Sequence, residues 1–239
     1  MHIDVEDLRD FYATPLGQVV RRLIAQRIRA RWAEAKGLTV LGLGFATPYL
    51  GIWRSEVRRL GALMPSGQGA LVWPAGGATQ SVMVDETHLP LADNSVDRML
   101  AVHCLEQAER PVPLLREIWR VLVPEGSLLL VVPNRRGLWA RLDRTPFGHG
   151  RPYSRGQLEG LLTDALFTPV SWANALHIPP IDRRFMLHRW ASSYERIAAR
   201  LDPGFGGVII VEAKKELVAP VGKVVRARAI KGLVTVRGG

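Results

Sequence analysis

Cysteine is almost absent: Cys104 is the one thiol in 239 residues, which excludes an internal disulfide and any cysteine-cluster metal site. The six histidines include no pair at a metal-ligand interval such as His-x3-His, so no metal is expected, and His88, His177 and His188 read as ordinary surface or packing residues. No apolar run approaches the roughly 18 residues that a membrane span requires. The opening Met-His-Ile-Asp-Val-Glu-Asp is acidic and lacks the apolar segment of a signal peptide. A cytoplasmic protein with no membrane partner is the expectation. Internal repeats and low-complexity segments are missing as well. Acid is scarce too, since 22 Asp and Glu face 32 Lys and Arg for a net charge of +10. Such a balance favours an anionic ligand or partner, such as RNA or other nucleic acid, acidic lipid headgroups or phosphorylated substrates, with a protein partner also open, or else reflects basic residues spread over a solvated surface.

What is present is ordinary for one domain with a full core, at 47% hydrophobic and 23% charged. The run Leu38-Thr-Val-Leu-Gly-Leu-Gly-Phe-Ala-Thr-Pro48 reads as a buried parallel strand entering a glycine turn, the form in which such sheets meet nucleotides. Before it, residues 5–35 carry helical spacing, interrupted around 10–17 with Pro15 near the start of the longer helix. The pair Phe11 and Tyr12 either caps a ligand cleft or packs this helix onto the core. After the turn, 49–60 reads as helix, 67–73 as a second strand and 82–84 as a third. The third is joined to the second by a crossover of about eight residues around Gly76 and Gly77, too short for a helix. Further strands are expected at 96–104, 127–132, 167–172 and 207–213, and helices at 114–122, 154–164 and, as an insertion, 182–201. Strand alternating with helix predicts an α/β doubly wound sheet whose ligands sit at the carboxyl ends of the strands.

Three ordered segments, spanning about 38–172, resemble the class I S-adenosylmethionine-dependent methyltransferases of the type 11 group. They are the glycine turn Gly42–Pro48, Asp85-Glu-x-x-Leu-Pro-Leu-x-Asp-x-Ser-Val-Asp97, and Leu115-Arg-Glu-Ile-Trp-Arg-Val-Leu-Val-Pro-Glu-Gly-Ser-Leu-Leu-Leu-Val-Val-Pro133. The resemblance implies a Rossmann-like sheet of about seven strands, the last antiparallel, with helices on both faces. It implies three regions: a helical segment 1–36 covering the cleft, a domain 37–213 with a helical insertion near 174–203, and a basic tail 214–239. It also implies S-adenosylmethionine as cofactor, approached by Gly42, Gly44 and Ala46. Asp85 would contact the adenine amino group with Glu86 beside it, and His103 to Glu106 would line the sulfonium side. Asp85 also has a plainer reading as a turn-initiating carboxylate.

The sequence departs from that family in its first motif, which usually reads Asp/Glu-x-Gly-x-Gly-x-Gly and here reads Gly42-x-Gly44-x-Ala46-x-Pro48. The acid for the cofactor's ammonium is absent, and the expected ribose carboxylate is replaced by Trp73-Pro74, with Trp73 a candidate for stacking on adenine. Each lost charge-assisted hydrogen bond costs about 1.5–3 kcal/mol, or about ten- to a hundredfold in affinity. A second reading is therefore a binding or regulatory module that has lost catalysis. The stretch 134–153 is the most unusual in the chain. Asn134, Arg135, Arg136, Trp139, Arg144, His149, Arg151 and Tyr153 form its candidate substrate surface, with guanidinium groups for anions and aromatic faces for stacking. The same loop reads otherwise as one pinned by ion pairs, with Trp139 and Phe147 packed on the sheet. His103, His149 and Tyr153 are the candidate bases for methyl transfer.

Overall fold

A computed structural model describes residues 3–180 and 205–216. Its seven strands form one sheet in the order β3-β2-β1-β4-β5-β7-β6. The strands are β1 (Thr39–Gly44), β2 (Arg59–Pro65), β3 (Ser81–Val84), β4 (Val96–Val102), β5 (Leu122–Pro133), β6 (Thr168–Ala175) and β7 (Val208–Lys214). β1 to β5 pair in parallel, while β7 runs antiparallel to both β5 and β6. This is the expected fold class. The proposed insertion helix at 182–201 and the tail from 217 onward lie outside the described residues.

Strand alternation gives the sheet two cores. On one face Val40, Leu100, Val102, Leu129 and Val131 meet α1 (Val5–Ala13), α2 (Pro15–Arg31) and α3 (Thr47–Leu50); on the other Leu41, Leu43, Met99, Ala101, Leu128 and Leu130 meet α4 (Pro111–Val121) and α5 (Arg155–Asp164). Each buried Leu, Ile or Val contributes about 1.5–3 kcal/mol relative to exposure. Thr14 closes α1 and opens α2, donating to Phe11 O and accepting from Gly17 N. At Gly17 a Cβ would lie 2.0 Å from Phe11 O, so only glycine lets the two helices bend this tightly. The bend folds α1 back across the carboxyl end of the sheet.

The second strand differs from expectation. It is Arg59–Pro65, and 66–80 is irregular. The periodicity of Leu50, Trp53, Val57 and Leu60 imitates a helix, but the helix there is one turn, Thr47–Leu50, followed by a 3-10 turn at Gly51–Trp53. Trp53 and Leu50 are fully buried as a short plug, not as a long amphipathic face. The apolar run Leu71-Val-Trp73 makes no ladder: Leu71 N and Trp73 N go to Met64 Sδ and Ser81 Oγ, and Ser81 Oγ donates to Leu71 O.

The Asp85–Asp97 connection is fastened to α4 by Arg120. Its guanidinium binds Glu117, Asp93 and the carbonyls of Leu89 and Leu91, while Glu117 also accepts from Leu89 N at 2.8 Å. The Arg120 hydrogen bond, with the Leu89 amide, holds the Glu117 carboxyl below the usual glutamate range. A depressed folded value means the stabilisation is full above the unfolded value and is lost as pH falls through the folded one. Glu117→Gln is expected to flatten the decline in melting temperature between roughly pH 5 and pH 3. An unchanged slope would remove Glu117 as a source of acid sensitivity.

Candidate functional site

β1 ends at Gly44, whose φ of +75° turns the chain toward β4. A Cβ on Gly44 would lie 2.4 Å from Val102 O, and Phe45 N donates to that same carbonyl at 2.8 Å. The carboxyl ends of β1 and β4 are thereby drawn together. His103, the residue after β4, is a non-glycine residue at φ +49°. That conformation is costly and persists only where surroundings impose it. Here Gln68 Nε2 donates to His103 O at 2.7 Å, and both ring nitrogens are engaged. Nδ1 lies 3.2 Å from Glu106 Oε1, and Nε2 lies 2.9 Å from the hydroxyl of Tyr12, which in turn meets the Tyr49 hydroxyl at 2.9 Å.

This Tyr49-Tyr12-His103-Glu106 chain is wholly buried, with His103 at 1% exposure. Tyr12 stacks on Phe45 at 5.6 Å between ring centroids, and Phe147 lies 4.8 Å from the His103 ring. Burial pushes both tyrosine hydroxyls above their ordinary range, so they stay protonated. In the tautomer whose Nδ1–H donates to Glu106, Nε2 carries a lone pair, the arrangement of a carboxylate-oriented base. α1 is fixed over the site by Val5 N to Gln68 O and Ile3 N to Gln107 Oε1, both 2.8 Å. Beside it a cavity of about 480 Å³ opens between α1 and the 143–150 segment, with Asp4, Asp7, Phe11, Asp143, Arg144 and His149 on its wall.

Among the residues singled out from sequence, Gly44, Ala46 and His103 gather at this rim. Gly42 is buried within β1, where a Cβ would meet Ala46 Cβ at 2.7 Å and Leu50 Cδ1 at 2.8 Å, so it serves the packing of α3. Asp85 is exposed at the end of β3; Oδ1 accepts from Thr87 N and Oγ1, and Oδ2 faces His88 Nδ1 at 3.4 Å. The Thr87 bonds lower its pKa, while burial and then Asp85 raise that of the half-buried Glu86. Trp73 stands in the 66–80 loop, not at a strand end, with the Arg54 guanidinium 5.6 Å from its ring centre. Ser66 follows β2 instead, so that end too offers no carboxylate.

The 134–153 stretch is divided. Trp139 is buried, donating to Ile178 O, and the buried Tyr153 hydroxyl donates to Leu105 O at 3.2 Å. Asn134 Nδ2 donates to Gly206 O. Arg135, Arg136, Arg144 and Arg151 are exposed. Arg136 faces a different cavity from Arg144 and His149, and His149 Nε2 lies 2.7 Å from Asp143 O. Of the rim residues, Glu106 was expected on the sulfonium side but its pairing with His103 was not, Tyr12 had two open readings, and Gln68 was missed. The His103-x-x-Glu106 interval was the available signal for the first.

Residues 29–130 match the family described as "Methyltransferase domain". The strand order and the antiparallel β7 agree with that match. The chain has the Rossmann-like fold of the class I methyltransferases. A solved S-adenosylmethionine-dependent methyltransferase of Thermotoga maritima, described as a possible histamine N-methyltransferase, aligns with 89% of this chain and 96% of its own, at 15% identity and a TM-score of 0.66. A Haloferax volcanii protein solved as a putative methyltransferase with the Trm112 methyltransferase activator aligns with 80% and 88%, at 19% identity and 0.60. The uncharacterized Escherichia coli protein YafS is 29% identical over 116 residues, which cover 48% of this chain and 44% of YafS. The chain thus spans less than half the length of that curated relative.

S-adenosylmethionine is the cofactor this family and fold imply, and the rim can be tested against it. Glu106 Oε2 and Gln107 Nε2 are buried with no hydrogen-bond partner among the described residues. An unmet carboxylate oxygen and an unmet amide N–H are the partners that a ligand's ammonium and carboxylate require. Glu106 would then supply, after β4, the acid that the β1 motif lacks. Asp85 is exposed, and its carboxylate would accept from an amino group. The donor set fits the cofactor, while Tyr12, Phe45 and Gln68 pack across the rim as α1 now lies.

Proposed function

We propose that this protein is an S-adenosylmethionine-dependent methyltransferase in which His103 is the general base and Glu106 its positioning residue. The observation that carries the proposal is the buried Glu106-His103 pair, placed where β1 and β4 end, with Nε2 aimed at a hydroxyl. Bound S-adenosylmethionine supplies a methyl group made electrophilic by its sulfonium. The chain's part is to exclude water, orient the acceptor and remove its proton through Nε2. The acceptor enters along the cavity beside Phe11, and its overall anionic character is inferred from the net charge of +10 and the exposed Arg135, Arg144 and Arg151. Asp4, Asp7 and Asp143 line that same cavity, so the group presented to the base is neutral or cationic. RNA, whose bases are neutral on an anionic backbone, fits both requirements.

A second reading rests on the packing of Tyr12, Phe45 and Gln68 over the rim: a methyltransferase-like binding module whose cofactor space is permanently filled. Calorimetric titration with S-adenosylmethionine and S-adenosylhomocysteine separates the two. Micromolar binding, weakened about ten- to a hundredfold by Asp85→Ala through loss of a charge-assisted hydrogen bond, is the expected result. Absence of heat and of thermal stabilisation at millimolar ligand would leave only the binding module.

A further inference from the structure

A second cavity, of about 740 Å³, lies between α2, β6 and the first turn of α5. Arg27, Arg31, Arg136 and Arg155 line it, and among the described residues no Asp or Glu does. Arg27 and Arg31 are one helical turn apart, an i,i+4 pair of like charges that disfavours the helix carrying it. Three of the four guanidinium groups are held by contacts that fix their position without cancelling their charge. Arg31 Nη2 donates to Trp172 O at 2.8 Å, Arg155 lies over the Trp172 ring at 4.8 Å, and Arg136 lies over the Phe205 ring at 5.0 Å. Carboxylates would have neutralised these cations; carbonyl and ring partners leave them available.

The first turn of α5 adds to the same field. Ser154 caps it in a reciprocal capping box with Gln157, and Gly156, where a Cβ would meet nothing within 4 Å, leaves the approach to the helix start open. The positive end of the helix dipole favours an anion there. We propose that this cavity is a binding site for a phosphoryl group, with the volume of a nucleotide-sized ligand and bidentate guanidinium recognition of its oxygens. It is separate from the His103 rim, and the inference stands whether or not the protein transfers methyl groups.

Two sources share this chemistry, a free nucleotide and a polynucleotide backbone, and titration of the full chain distinguishes them. The probes are pyrophosphate, adenosine monophosphate and a short oligoribonucleotide, each at two salt concentrations. Pyrophosphate is expected to bind saturably, and Arg136→Glu and Arg155→Glu, both at exposed positions, are each expected to weaken it at least tenfold. Arg59→Glu, an equal charge change at an exposed residue outside the cavity, is expected to leave it within about twofold, which separates a site from a net-charge effect. Adenosine monophosphate matching the oligonucleotide would assign the free nucleotide. A much tighter oligonucleotide with steep salt dependence would assign the backbone. No saturable pyrophosphate binding at millimolar concentration, or equal losses in Arg59→Glu, would overturn the proposal. A thermal melt of each variant confirms that the comparison is between folded proteins.

Discussion

His103→Gln is expected to lower the methyl-transfer rate by about 10²- to 10⁴-fold, the range for removing a positioned general base. Cofactor affinity should change little, because the partners inferred for the cofactor are Glu106, Gln107 and Asp85. The assay is incorporation of labelled methyl from S-adenosylmethionine into an RNA or extract acceptor fraction, run beside calorimetry on the same variant. Glutamine preserves much of the volume and one donor, so His103's packing against Phe147 and its place under Tyr12 are disturbed less than by alanine. Glu106→Gln should fall between the two, since it keeps a hydrogen-bond acceptor for Nδ1 but removes the charge that favours a protonated imidazole. Full activity in His103→Gln would show that no base is needed there and that the buried pair serves the fold alone. A loss of cofactor binding equal to the loss of rate would instead place His103 against the cofactor.

The residues of this chemistry were unevenly visible in the sequence. The glycine turn and the Leu115–Pro133 helix-turn-strand were legible because long apolar runs with fixed punctuation admit few local structures. His103 stood out by its position after a strand. Glu106 fell within the same stretch, but its pairing with His103 did not show, because an acidic residue in a turn is ordinary until its burial is known. Tyr12 was visible only as one of two adjacent aromatics with two open readings. The structure gives each a different role: Tyr12 is buried on His103, while Phe11 is part-exposed on the cavity wall.

β2 was misread for a physical reason. Arg59-Leu-Gly-Ala-Leu-Met-Pro65 begins on a charge and ends on a proline, whereas 67–73 carries Leu71, Val72 and Trp73 and resembles a strand more closely. Position decided the outcome: pairing with β1 buries Ala62, Leu63 and Met64, and leaves Val72 73% exposed in a loop. Tertiary burial outweighed local propensity. The arginines of 134–153 looked like one surface because they are close in sequence. A 3-10 turn at Trp139–Arg141 and the buried Trp139 and Tyr153 part them, with Arg136 on one cavity and Arg144 on another, and Arg27, Arg31 and Arg155 join Arg136 from other elements. No sequence pattern brings α2 to the start of α5.

Tyr12→Ala is expected to have opposite effects on stability and on cofactor binding. Tyr12 is 8% exposed, contacts Phe45, Tyr49 and His103, and helps anchor α1. Its removal should cost about 2–4 kcal/mol, toward the low end for deleting a buried aromatic, because one side of the vacated space borders the rim and can open to water. If α1 must lift before S-adenosylmethionine enters, the measured affinity is the intrinsic one multiplied by the fraction of open molecules. Freeing α1 should then tighten binding, and a tenfold gain would mean that α1 is down in about nine molecules of ten. Tyr12→Phe keeps the ring and removes the hydroxyl bonds to His103 and Tyr49. It should leave affinity nearly unchanged if the ring is what holds α1 down. Calorimetry with chemical denaturation of both variants reads the two quantities separately. Weaker binding in Tyr12→Ala would make Tyr12 part of the cofactor's own wall, with α1 a fixed side of the site.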